Sequence, residues 1–128
     1  MSKLEESLAL QLRAAKIDHL FEREYRFAAM ATGGTGKGVR QRIKEAGLKD
    51  WRFDFCAIGS MFAVEVEGGG FVNGRHNRGE GFQADMLKYS EAMYRGWTVY
   101  RCDAGLIKSG KALAVIEMLV ERGMGAAA

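Results

Sequence analysis

Apolar residues recur at helical spacing over residues 2–15 (Leu4, Leu8, Leu10, Leu12), which predicts a first helix that Ser2 is suited to cap and whose opening turn carries Glu5 and Glu6. Residues 21–27 alternate instead, Phe21, Arg23, Tyr25 and Phe27 against Glu22, Glu24 and Arg26, as a strand with one buried face does. Four glycines follow within residues 32–38, then a short basic helix over 39–46 with Gly47 as its stop, so that 31–50 reads as a flexible glycine-rich, basic insertion. Residues 51–56 and 61–67 are strand-like, and Gly59-Ser60 between them suits a two-residue type II′ hairpin turn. Beyond a glycine-rich polar segment at 68–81, apolar positions 82, 86, 89 and 93 predict a helix over 82–95 stopped by Gly96. A strand over 97–102 and a helix over 110–122 complete the pattern, with residues 123–128 expected to fray. The order of elements predicts an α/β fold, a mixed sheet with helices packed on it.

The hairpin carries the first chemical inference. A two-residue turn at 59 and 60 pairs residues whose numbers sum to 119, which sets Asp54 opposite Glu65, Arg52 opposite Glu67 and Cys56 opposite Ala63, all pointing to one side. Trp51, Phe53, Phe55, Phe62, Val64 and Val66 take the other side, which is then the expected core face. Like charges opposed across a ladder are destabilising by up to ~1 kcal/mol. A divalent cation between them reverses that sign, and hard oxygen donors suit Mg²⁺ or Mn²⁺. The next loop adds Arg75, His76 and Arg78, a set suited to holding an anion beside the carboxylates.

Composition narrows the reading. At 128 residues and 48% hydrophobic, residues 1–128 are expected to form a single domain. A net charge of +3 permits a polyanionic partner without requiring one. Cys56 and Cys102 read as reduced thiols in a cytoplasmic compartment, and Cys56 as a small buried hydrophobe. Charged residues interrupt every apolar run, so no membrane span is expected. The run Gly33 to Gly38 is not an ATP-binding loop, because Ala31 stands where the first glycine belongs and Gly38 where the magnesium-binding hydroxyl belongs. With Lys37, Arg40, Arg42 and Lys44, the insertion reads better as a nucleic-acid contact.

Arg52-Phe53-Asp54-Phe55 followed by Ala63-Val64-Glu65-Val66-Glu67-Gly68-Gly69 resembles the PD-(D/E)XK nuclease superfamily. Gly74-Arg75-His76, Asp85-Met86-Leu87-Lys88 and Gly96-Trp97-Thr98-Val99-Tyr100-Arg101 are similar to motifs of its very-short-patch repair and small phage-type endonucleases. The resemblance spans about residues 20–115 and implies a restriction-endonuclease-like mixed sheet with an αβββαβ core flanked by helices. It implies a Mg²⁺- or Mn²⁺-dependent endodeoxyribonuclease in which Asp54 and Glu65 are the primary metal ligands. Glu67 stands where the superfamily has its lysine, so Glu67 is either a further ligand or a base, and Lys88 is the candidate replacement for the missing charge. The resemblance also implies an acidic residue on the first strand, Glu24 or Glu22. His76 is a candidate for proton transfer, and Arg75, Arg78, Lys37, Arg40 and Arg42 for DNA contact. Concerted cutting of two strands by so small a domain would favour a homodimer. The rival reading is a noncatalytic nucleic-acid-binding module of the same fold.

Overall fold

The computed structural model describes residues 2–68 and 80–127. Arg75, His76 and Arg78 therefore lie outside the described residues. Ser2 closes a reciprocal cap on helix α1 (Lys3–Ala14): its hydroxyl accepts from the Glu5 N–H at 3.1 Å, and the Glu5 carboxylate accepts from the Ser2 N–H at 2.9 Å. Leu8 and Leu12, one and two turns on, are fully buried, so Glu5 sits on the buried stripe of the helix.

The chain continues through strand β1 (Glu22–Tyr25), short helices α2 (Phe27–Ala31) and α3 (Val39–Glu45), and the hairpin strands β2 (Phe53–Ala57) and β3 (Phe62–Val66). Helix α4 (Glu80–Tyr94), strand β4 (Thr98–Cys102) and helices α5 (Ala104–Lys108) and α6 (Lys111–Ala127) follow. One sheet runs in the order β1-β2-β3-β4, antiparallel except for the β3–β4 pair, which is parallel and is joined through α4. A parallel pair needs such a crossover. The protein is thus an α/β fold built on a four-stranded mixed sheet. Among the described residues, no helix is long and apolar enough to cross a membrane.

Several boundaries differ from the pattern-based reading. Phe27 opens a helix and does not close the first strand. Helix α5 appears where no element was expected, capped by Asp103, whose carboxylate accepts from the Leu106 N–H at 3.0 Å. Helix α6 runs to Ala127, through residues expected to fray. The hairpin is joined by residues 58–61, a 3-10 turn followed by Met61 at φ 54°, and not by a two-residue turn. Its centre still falls between Gly59 and Ser60. The pairing Phe55–Val64, Cys56–Ala63 and Ala57–Phe62 therefore keeps the expected sum of 119.

The expected split into one apolar and one polar face does not hold, because helices cover both sides of the sheet. On one side Phe55, Phe62 and Val64 pack with Leu8 and Leu12 of α1, Ile107 of α5 and Ile116 of α6. On the other, Cys56 and Ala63, both fully buried, pack with Phe27, Ala92 and Trp97. Phe53 lies on this second side, its ring 4.3 Å from that of Phe27 and 5.2 Å from that of Trp97. Strict alternation would have placed Phe53 with Phe55, so the face changes across Asp54. The same break occurs in β1: the Arg23 guanidinium lies 4.3 Å over the Phe55 ring, while Tyr25 packs on Trp97 at 5.7 Å. Between them Glu24 has φ 54°, a left-handed conformation that costs a non-glycine residue roughly 1–2 kcal/mol.

Candidate metal centre

The two breaks in alternation bring carboxylates together. Glu24 of β1, Asp54 of β2 and Glu5 of α1 each offer a carboxylate oxygen, and the three oxygens lie within 4.8 Å of one another. Glu22 is not in this group; it pairs with Cys56 farther along the strand. Glu5 was not singled out from the sequence, which placed it with Glu6 in the opening turn of the first helix. The available signal was its place three and seven residues before Leu8 and Leu12, an acidic residue in an apolar stripe.

The regular β2–β3 ladder ends at Phe55–Val64, and beyond it side chains take over the cross-strand bonding. The Asp54 N–H donates to Glu65 Oε2 at 3.0 Å, and the Val66 N–H donates to Asp54 Oδ2 at 2.7 Å. Lys88 of α4 donates its ammonium to Glu65 Oε1, an ion pair in which the side chains are only 16% and 5% exposed. Lys88 therefore reaches Glu65 and not Asp85, the acidic residue three before it on the same helix. The parallel strand β4 sets Arg101 opposite Glu65 in register, yet its guanidinium turns to Glu67, with Nε donating at 2.8 Å. Tyr89 donates its hydroxyl to the same Glu67 oxygen at 3.2 Å, and the Arg101 guanidinium stacks 4.6 Å over the Tyr89 ring.

Asp54, Glu65, Glu67, Asp85, Lys88 and Tyr89 line a single cleft of about 210 Å³. The expected centre of Asp54, Glu65, Glu67 and Lys88 is thus brought together, but the carboxylate triplet is Glu5, Glu24 and Asp54, and Glu65 and Glu67 stand beside it with cationic partners of their own. Burial pushes the Asp54 carboxyl up to about 8, and its contacts with Glu5 and Glu65 push the same way against the Val66 N–H. For Glu5, burial acts upward but is outweighed by hydrogen bonds from Asp54 and Ser2 and by nearby positive charge, which leave it below its ordinary value. The two carboxyls are thus shifted in opposite directions, Asp54 toward its protonated form and Glu5 toward its ionised form. Glu5, Glu24 and Asp54 together offer three hard oxygen donors, the ligand type that a metal ion such as Ca²⁺ or Mg²⁺ takes.

The remaining expectations divide. Lys37 and Arg40 are exposed on the segment between β1 and β2. Arg42 is half-buried, and its guanidinium donates to three carbonyls of its own loop, those of Thr32 (2.9 Å), Lys37 (2.6 Å) and Gly34 (2.8 Å). Burial pushes the Cys56 thiol up to about 12 and the Cys102 thiol up to about 11, so both stay protonated near neutrality. No family model, curated protein or solved structure matches the chain.

Proposed function

We infer that the protein is a Mg²⁺- or Mn²⁺-dependent endonuclease that hydrolyses DNA phosphodiester bonds on a PD-(D/E)XK-type core. The observation that carries this reading is the convergence of Glu5, Glu24 and Asp54 from three separate elements, next to a cleft in which Lys88 is held against Glu65. The mixed sheet is compatible with such a core, and the sequence motifs quoted above resemble that superfamily.

In this reading Asp54, Glu24 and Glu5 hold the cation, with Glu65 at their side. Held by these residues, a divalent ion would supply Lewis acidity toward a phosphoryl oxygen and toward water near neutral pH. Lys88 supplies positive charge to a phosphate oxygen entering the cleft, where the surrounding protein strengthens the interaction relative to water. Glu65 fixes the Lys88 ammonium in place. Glu67, held by Arg101 and Tyr89, faces the same cleft as an acceptor for a proton leaving water. The resemblance gives Arg75 and Arg78 the grip on phosphate and His76 a part in proton transfer.

The test is cleavage of labelled linear, flapped and four-way DNA, and nicking of supercoiled plasmid, with Mg²⁺ or Mn²⁺. The parent should cut at least one substrate only when metal is present, and Asp54→Ala should cut none. Undiminished cleavage by purified Asp54→Ala would reject the site. Metal-independent binding without cleavage of any substrate would favour the noncatalytic module.

A further inference from the structure

The positive charge of this chain is concentrated in one place. Residues 26–52, which connect β1 to β2, contain seven Lys and Arg against two Asp and Glu, a local charge of +5, whereas the whole chain carries +3. The remainder is therefore net acidic by two charges, so this segment supplies the chain's excess of positive charge, the long-range attraction for a polyanion. Its position is fixed by the sheet: it leaves after Tyr25 and returns at Phe53, two residues that pair with each other and directly adjoin Glu24 and Asp54. The basic segment thus springs from the end of the sheet that carries the carboxylates.

The segment is also built as a platform. Arg26 and Asp50 clamp its stem with two parallel hydrogen bonds of 3.0 and 2.8 Å. Ala28, Ala29, Ile43 and Leu48 form a small core of their own, and Arg42 ties down the glycine loop. Lys37, Arg40, Lys44 and Lys49 are left exposed, and among the described residues none has an ion-pair partner. Arg40 and Lys44, four apart on α3, share one helix face and line a shallow surface depression with Lys49.

We propose that this platform is the DNA-docking surface of the protein, with Arg40, Lys44 and Lys49 contacting the phosphate backbone of the duplex whose scissile phosphate enters the carboxylate cleft. The proposal rests on the nuclease reading for its choice of polyanion. It moves the DNA contacts from Arg42, which is internally bonded, to Lys44 and Lys49.

The test separates docking from chemistry. Binding of a fluorescein-labelled duplex is followed by anisotropy in EDTA between 50 and 200 mM salt, where no cleavage occurs, for the parent, Arg40→Gln/Lys44→Gln, and a control, Arg13→Gln/Lys16→Gln. The control removes the same charge around the C-terminal end of α1, away from the first turn that reaches Asp54. The docking pair should weaken binding and reduce the slope of log K against log salt by about 2, close to one per lost phosphate contact. The control should leave affinity and slope nearly unchanged. Equal loss in both variants, unchanged binding by the docking pair, or a parent that does not bind duplex would each overturn the proposal. Failure of the nuclease reading appears separately, as absence of metal-dependent cleavage in a parent that still binds through Arg40 and Lys44.

Discussion

Asp54 is the residue on which several opposing forces meet. Its carboxyl is raised to about 8 by burial and by neighbouring carboxylates, so the folded protein holds a proton that the unfolded chain releases near 3.8. The contribution to stability is complete below about 3.8 and is lost as pH rises through about 8. Glu5, held below its ordinary 4.5, acts in the opposite sense: its contribution is present above that value and falls away under more acidic conditions. Thermal melts in EDTA should therefore show a falling Tm from pH 5 to pH 9, and the fall should be much smaller in Asp54→Asn; a parent profile that is flat or rising would contradict the raised Asp54 carboxyl. Lys88 poses the complementary problem. Removing it leaves Glu65 buried without a counter-charge, so Lys88→Ala should cost ~3–5 kcal/mol in denaturant unfolding. Adding Glu65→Gln to that variant should recover much of the loss, and two losses that merely add would show that the pair is not coupled.

At the level of elements, the site depends on a fault in two strands. Glu24 at φ 54° and the change of face across Asp54 turn both carboxylates toward the first turn of α1 instead of leaving them on a regular ladder. Glycine adopts such a conformation without the Cβ penalty, so Glu24→Gly should match or exceed the parent in stability, by up to ~1 kcal/mol, while losing metal-induced stabilisation and cleavage. A less stable Glu24→Gly that keeps its metal response would show that Glu24 is neither strained nor a ligand. Phe53 anchors the other side of the fault, stacked on Phe27 and edge-on to Trp97. Phe53→Ala should cost ~3–5 kcal/mol through the cavity it leaves, and a Tm within a degree or two of the parent would place Phe53 outside the core.

Over the whole molecule, charge and chemistry are segregated. The sheet end gathers Glu5, Glu24, Asp54, Glu65 and Glu67, and the positive platform grows from the same end between Tyr25 and Phe53. Repulsion within the acidic group opposes folding of the metal-free protein, and a cation that binds only the folded form stabilises it by mass action, about 2.7 kcal/mol at 100 times Kd. Mg²⁺ or Mn²⁺ should raise the Tm of the parent in proportion to the logarithm of concentration above Kd. In Asp54→Asn the rise should nearly vanish, while the metal-free variant should melt at or above the parent near neutral pH. An equal metal-induced rise in both proteins would put the ion elsewhere.

Much of this was legible in local pattern. The 3.6-residue spacing of Leu8 and Leu12 located α1, and the hydroxyl of Ser2 located its cap. The hairpin register followed from the midpoint between residues 59 and 60, which a four-residue loop shares with the expected two-residue turn, so Asp54 and Glu65 were associated from sequence although the turn type was not. What sequence could not decide was which acidic residues converge: Glu5 and not Glu6, Glu24 and not Glu22. Nor could it decide that Lys88 meets Glu65 and that Arg42 serves its own loop. Periodicity fixes which side of an element a residue occupies only while the element stays regular. Here the stacking of Phe53 between residues supplied by α2 and by the segment before β4 overrides alternation, and a left-handed glutamate runs against its own local preference. Both are decided by contacts between distant parts of the chain, and so the tertiary structure alone assembles the carboxylate triplet.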